Sequence, residues 1–327
     1  MENINKVHNI DFLNNTLPDK CAKLIIADPP YFEVKGDFDF VWNSFDDYLK
    51  DVEKWAVECK RLLADNGTLF WYGDSKKIAY AQIIFDKHFD LLSNITCHIY
   101  DRQTNKIPIE DARSFINCTE RLLMYSNEKY NLTECIFHIR DYIRGEIIKS
   151  KGKIILNDIN KTLKAATNGG GIASACFSLN KAEPAMITKE MYLKLQKWCS
   201  PYLNKQYEEL RSEYEELRRP FNPVEKYKMD VLRFSQEGHV TSKYKHDTVK
   251  PEKTTRMLIN TCSRHGDLVI IPFAGSGTEC AMSAKEGRDF IGFDIENKYV
   301  EMANERCQQH LNQIDLFQAI ENETIKK

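Results

Sequence analysis

The residues best placed to do chemistry are Asp28-Pro29-Pro30-Tyr31. They follow Leu24-Ile25-Ile26-Ala27, an apolar run that reads as a buried strand. Each proline lacks an N–H and has a fixed φ, so two in succession must end that strand in a turn. A carboxylate is left at the strand's C-terminal end, with a planar ring three residues on. Ligands of open α/β sheets bind at that end. A carboxylate, a rigid turn presenting a carbonyl and a ring would together hold a flat, amino-bearing molecule such as a nucleobase.

A complementary set lies far along the chain. Leu268-Val269-Ile270-Ile271 reads as a second buried strand, running into Pro272-Phe273-Ala274-Gly275-Ser276-Gly277-Thr278 and a helical stretch from Glu279 to Lys285. Gly275 and Gly277 permit a tight strand-to-helix turn that a ligand can approach closely. Phe290-Ile291-Gly292-Phe293-Asp294 is a third short strand ending in an acid, a position suited to accepting hydrogen bonds from a ribose. The pattern is a nucleoside half-site. It lacks both the full GxGxxG of dinucleotide folds and the GxxxxGK[ST] of triphosphate sites.

The elements that must position these residues alternate. A strand over 24–27 is followed by a helix from Phe45 to Leu63, which Asn66-Gly67 is expected to stop. Gly67–Tyr72 reads as a strand, Ile78–His88 as a helix, and Asn94–Tyr100 and Arg121–Ser126 as strands. The polar loop over 101–119 could overhang a substrate. The fold class expected is α/β: a Rossmann-like, doubly wound, mostly parallel sheet with helices on both faces. If the strands at 24–27 and 268–271 share that sheet, both motifs end at one edge, and their order in the chain does not matter to the site.

Residues 138–200 break the alternation. Helices are expected over Ile139–Lys149, Asn157–Leu163, Ile172–Leu179 and Thr188–Trp198, with a turn at Asn168-Gly169-Gly170-Gly171. Short helices joined by a glycine turn make a helix-turn-helix-like arrangement, in which Gly171–Phe177 would enter a DNA groove and Ser174 would permit close approach. The same segment could instead be a helical insert that only packs. Between Ile136 and Ala165 seven Lys/Arg face three acids, a local basic excess. Arg140, Arg144, Lys161 and Lys164 are the expected nucleic-acid contacts, although a basic run is also what a solvated helix face looks like. Leu203, Tyr207, Leu210, Tyr214 and Leu217 form a heptad seam under three heptads long, which could pack on its own domain or meet a second copy in a homodimer. The expected division is a first catalytic half over 1–137, the insert over 138–200, the heptad helix and linker over 201–227, a second half over 228–313, and a polar tail over 314–327.

Composition sets bounds. The chain has 327 residues, 42% hydrophobic and 29% charged, enough for a large core. No apolar run reaches the length of a membrane span, and the N-terminus has no signal-peptide pattern. The ten cysteines are scattered with no CxxC, which suits reduced thiols in a cytoplasmic protein and gives no spacing for a metal site. The net charge of −2 counts against a nonspecific nucleic-acid coat but not against specific binding.

Taken together, the motifs resemble those of the β-group amino DNA methyltransferases. Asp28–Tyr31 matches the DPPY motif, Phe273-Ala274-Gly275-Ser276-Gly277 matches FxGxG, and DPPY comes first, as in the circularly permuted β group. Asp11 stands where the family has an acid. His246-Asp247-Thr248-Val249-Lys250-Pro251 resembles HPTxKP, and Gly292-Phe293-Asp294-Ile295 resembles GIEI. The resemblance covers roughly 5–127 and 228–312. It departs from the family at Ile271, usually Asp, at Asp247, often Pro, and at Thr119-Glu120, commonly His-Glu.

The resemblance implies S-adenosylmethionine as cofactor and double-stranded DNA as partner, in a member that is either orphan or paired with a restriction endonuclease. It implies that Asp28 and the Pro29 carbonyl accept the two N6–H bonds of an adenine flipped from the duplex, that Pro30 stiffens the turn, and that Tyr31 stacks on the base. It places Phe273, Ala274, Gly275, Ser276, Gly277 and Thr278 around the cofactor and Asp294 on its ribose. Asp11, His246 and Lys250 are expected near its adenine and methionine ends. The alternatives are N4-cytosine methylation, whose family members more often carry Ser in place of Asp28, an RNA methyltransferase, and a DNA-binding regulator on an inactive fold.

Overall fold

Leu24 and Ile26 pack on one side of the sheet while Ile25 and Ala27 pack on the other. Both faces are therefore covered, which is why the strand reads as an unbroken apolar run rather than an alternation. The structure is a computed structural model. It describes residues 4–34, 39–99, 113, 115, 117–127, 132–163, 171–180, 185–223, 229–234 and 249–325, with the helical path alone for 132–134 and 313–325.

The chain divides into two units, Met1–Glu128 with Pro220–Lys327, and Lys129–Arg219. The first unit holds an eight-stranded sheet. Its strands are β1 (Lys6–Asn9), β2 (Ala22–Ala27), β3 (Leu63–Asp74), β4 (Phe89–Ile99), β5 (Thr119–Asn127), β6 (Val231–Phe234), β7 (Leu268–Ile271) and β8 (Asp289–Asp294), in spatial order β1-β8-β7-β2-β3-β5-β4-β6. Only β5 runs against the others. Helices α1 (Phe45–Leu62) and α2 (Ile78–Phe85) cover one face. Helices α8 (Glu252–Cys262), α9 (Thr278–Lys285) and α10 (Asn297–Ile325) cover the other.

The pairing that matters most is β2 with β7. They are parallel neighbours, with Leu24 opposite Val269 and Ile25 opposite Ile270. From β7 the chain winds outward to β8, and from β2 it winds the other way to β3. The join between them is the topological switch point, where a crevice opens at the strands' C-terminal ends. Both motifs leave the sheet there.

Three expectations are corrected. Asn66-Gly67 does not stop a helix: α1 passes directly into β3 at the buried Leu63, and the Leu63 N–H still bonds the Cys59 carbonyl. Gly67 lies within β3, where a Cβ would come 2.6 Å from Leu63 Cδ1, so the glycine serves packing beside the irregular register between Ala22 and Leu24. The polar C-terminal stretch is helical to Ile325, since no Gly or Pro follows Asn297 to end it. The strand β6 was not anticipated.

Among the described residues the regular elements of the second unit are all helices: α3 (Leu132–Lys151), α4 (Leu156–Leu163), α5 (Ile172–Phe177), α6 (Lys189–Cys199) and α7 (Tyr207–Leu217). Ile139, Ile143 and Ile147, one turn apart on α3, enter a core with Ile159, Phe177 and Tyr192. The heptad seam is spent on this core. Leu210 and Tyr214 are buried in it, Leu203 is buried but outside the helix with φ of 60°, and Leu217 lies at the surface. The unit itself covers the seam, so the motive for a homodimer through it disappears. Among the described residues no helix is long and apolar enough to cross a membrane.

Candidate active site

β2 ends at Ala27, and Asp28 stands partly buried at its tip. The Tyr31 hydroxyl donates to Asp28 Oδ1 at 2.5 Å, and Lys250 Nζ lies 3.1 Å from the same oxygen. Among the described residues nothing comparable occupies Oδ2. Lys250 Nζ also lies 3.0 Å from Glu120 Oε2 and 3.3 Å from the Tyr31 hydroxyl, and it sits 4.6 Å from the centre of the Tyr72 ring. It is 6% exposed, so its charge is committed to this cluster.

The topology explains why these residues meet. The parallel strands deliver Asp28 at a C-terminal end. β5 runs the opposite way, so Glu120, near its start, reaches the same edge, opposite Asp74 at the end of β3. Burial raises the Asp28 carboxyl above the ordinary range; Lys250 opposes that and Glu120 adds to it. Burial works against the Lys250 charge, but Asp28 and Glu120 outweigh it and hold the ammonium above the usual lysine range. Burial and the Asp28 charge raise the Tyr31 phenol. The cluster is thus a permanent cation flanked by two acids and a neutral phenol.

The turn after Asp28 is braced from outside the motif. The Tyr31 N–H donates to Asp39 Oδ1 at 2.5 Å, the buried Asp39 carbonyl accepts from the Glu33 N–H, and the Lys77 ammonium bonds the Phe32 carbonyl. Beside it Tyr31, Phe32, Tyr48, Trp71, Asp74 and Lys77, among others, line a small open indentation with room for little more than a water molecule. Pro29 is buried and Pro30 partly exposed.

On the neighbouring strand, Gly275 and Gly277 both adopt positive φ, 46° and 72°. Their surroundings differ. Gly275 is partly exposed, and its N–H donates to Asp294 Oδ2 at 2.9 Å. A Cβ on Gly277 would meet Ala303 Cβ at 2.6 Å, so this glycine lets α9 and α10 pack. Ala274, Ser276 and Thr278 are also buried. Arg306 Nη1 donates to the Ser276 carbonyl and the Thr278 hydroxyl, while Nη2 reaches Glu252 at 2.7 Å. These residues shape the turn from behind. Phe273, Gly275 and Asp294 are the parts that face outward. Asp11 caps a short 3-10 turn just past β1, the strand beside β8, and Phe12 in that turn packs 6.3 Å from Phe273. Asp11 therefore shares the edge with Asp294. His246 and Lys164 lie outside the described residues.

Sequence reasoning placed Lys250 with the cofactor, and the structure places it against Asp28. It overlooked Asp39 and Lys77, treated Glu120 only as a departure, and overlooked Glu279. This last residue is the second of α9, is 4% exposed, and has no hydrogen-bond partner at Oε1. An acid directly after a glycine turn was the signal available for it.

These features suit a cationic nucleoside: an exposed glycine backbone, an aromatic edge, an acid at the end of β8 and an orphaned buried carboxylate beside them. No cluster of His, Cys, Asp or Glu among the described residues would hold a metal ion.

In the second unit, Arg140 is 8% exposed, bonds Asp141 at 2.8 Å and lies over the Phe137 ring, while the Arg144 guanidinium is bound to the Phe177 carbonyl. Neither is an unengaged surface cation, which departs from the expected phosphate contacts. Lys161 is exposed and Ser174 partly buried. The helix α5 has six residues, of which Ala173, Cys176 and Phe177 face the core, and Asn160 Oδ1 accepts from the Ala173 N–H at 2.9 Å.

Comparison with known proteins agrees with this geometry. The chain is similar to the type II methyltransferase M2.DpnII of Streptococcus pneumoniae, 26% identical over 91% of this chain and 86% of that protein. It is similar to the type II methyltransferase M.HinfI of Haemophilus influenzae, 25% identical over 94% of this chain and 70% of that protein. In fold it resembles TTHA0409 of Thermus thermophilus, described as a candidate DNA modification methylase, at a TM-score of 0.52 and 17% identity over 94% of this chain and 95% of the other. It also resembles the cytosine-N4-specific PvuII DNA methyltransferase at 0.51 and 12% over 94% and 93%. The model of the N6/N4 DNA methylase family matches residues 22–305, so the chain belongs to that family and is an S-adenosylmethionine-dependent DNA methyltransferase.

Proposed function

We propose that the chain methylates the N6 amino group of adenine at a specific site in duplex DNA. The observation that carries this reading is the Asp28 carboxylate itself. Oδ1 is held by Tyr31 and Lys250, which fixes the plane of the carboxylate. Oδ2 remains to accept one N–H of an exocyclic amine, with the Pro29 carbonyl for the other.

S-adenosylmethionine supplies a methyl group on a positive sulfur. Phe273, Gly275 and Asp294 would hold it, on the strand next to Asp28. The adenine amino lone pair is delocalised into the ring. Two acceptors on its N–H groups favour the tetrahedral nitrogen that a new bond to carbon requires. Asp28 then takes the surplus proton, a role its raised pKa favours. Lys250 keeps two acids tolerable in one buried cluster, and Tyr31 presents its ring to the base.

An acid at position 28 favours adenine over cytosine by the family resemblance. In the second unit, target reading falls to exposed cations such as Lys161 rather than to Arg140. The ten cysteines are all free thiols, which suits a cytoplasmic enzyme. A transfer assay with methyl-labelled cofactor and duplex DNA tests the reading: Asp28→Ala should abolish transfer while cofactor affinity stays within a few-fold. Near-normal turnover, or loss of cofactor binding, would remove Asp28 from this role.

A further inference from the structure

A buried carboxylate oxygen without a donor is costly unless a cation arrives to pair with it. Glu279 carries such an oxygen here: its own backbone N–H bonds the carboxylate, and Oε1 is left without a donor. It lies at the second position of α9, directly behind the Gly275–Gly277 turn, 4% exposed, with Oε1 lacking any partner. Its protein cations do not satisfy it: Lys250 is held by Asp28 and Glu120, and Arg306 donates to Ser276, Thr278 and Glu252.

We propose that Glu279 is the receptor for the α-ammonium group of the cofactor's methionine end. The inference rests on the placement of S-adenosylmethionine at the Gly275 turn. The cofactor carries two positive centres. The sulfonium has no N–H, so it cannot satisfy an orphaned acceptor, whereas the ammonium has three. The groups acting on Glu279 fit this assignment. Burial and the Asp28 charge raise its carboxyl to about 7, while a hydrogen bond from its own backbone N–H, and then Lys250 and Arg306, oppose them. Tyr72 on β3 and Cys280 on α9 are the other titratable groups that feel its charge. Near neutral pH the carboxyl is therefore partly protonated, and an arriving ammonium displaces the proton.

The test is calorimetry of the full chain at about pH 7 in two buffers of different ionisation enthalpy. The probes are S-adenosylmethionine, S-adenosylhomocysteine, which keeps the ammonium, and methylthioadenosine, which lacks the amino-acid tail. The wild type should release about half a proton on binding the first two and none with the third. Glu279→Gln should abolish that release and weaken the first two at least about tenfold, leaving methylthioadenosine affinity unchanged. Equal weakening of all three probes would reduce Glu279 to a structural role and overturn the proposal. So would proton release that survives the substitution. A wild-type chain that bound none of the probes would instead remove the cofactor placement on which the inference depends.

Discussion

Lys250 Nζ lies 3.1 Å from Asp28 Oδ1 and 3.0 Å from Glu120 Oε2, joining the carboxylate at the tip of β2, for which we propose the catalytic role, to an acid on β5, the strand that runs against the others. The pair sets the charge state of the site. Burial holds Asp28 above the ordinary carboxylate range, Lys250 pulls it back and Glu120 pushes it further. Transfer needs Asp28 ionised to accept the amino protons. Activity should therefore fall as pH drops through that raised value.

The acid limb of the kcat–pH profile should then move in opposite directions in two variants. Glu120→Gln removes a like charge and shifts the limb to lower pH. Lys250→Met removes the opposing ammonium, shifts it to higher pH and lowers kcat at neutrality by at least about tenfold. Shifts of the same sign in both variants would contradict the assignment.

Glu279 makes a prediction for the ligand-free chain. Its folded carboxyl, at about 7, lies above the 4.5 of an unperturbed glutamate. The folded state thus binds more protons than the unfolded state between those values, and stability falls as pH rises through them. Glu279→Gln should raise the melting temperature near pH 8, by a stabilisation of up to about 3 kcal/mol, and have little effect near pH 4. A thermal scan at both values checks this.

Gly277→Ala should destabilise the fold without touching the ligand face. At φ of 72°, with Ala303 Cβ 2.6 Å from the new methyl group, both backbone and packing oppose it. The expected cost is roughly 1–3 kcal/mol. It should appear in denaturant midpoints with cofactor affinity retained once the protein is folded.

DNA contacts can be separated from helix packing in the second unit. Lys161→Ala should lower the slope of log affinity against log salt by about one. Arg140→Ala should leave that slope intact and lower stability, because Arg140 is buried against Phe137 and Asp141.

The sheet and both motif turns were legible because apolar runs, paired prolines and glycines are local signals. The shared edge of the two motifs was legible only on the condition that their strands lay in one sheet; that β2 and β7 are direct neighbours comes from the structure. The Lys250–Asp28–Glu120 cluster was not legible, because it depends on β5 running backwards, and strand direction leaves no mark in a short apolar run. Asn66-Gly67 misled because a glycine needed for close packing looks the same as one that ends a helix. Arg140 misled because a cation counted in a basic stretch carries no information about burial. The heptad seam was real as a pattern, but its partner was the unit's own core.

The most direct test of the central claim is to digest duplex DNA, treated with the chain and S-adenosylmethionine, to nucleosides and to identify the methylated base by mass spectrometry. The proposed role of Asp28, with the acid at that position favouring adenine, predicts N6-methyladenine from the wild type and none from Asp28→Ala. N4-methylcytosine as the product, or N6-methyladenine persisting in the variant, would contradict it.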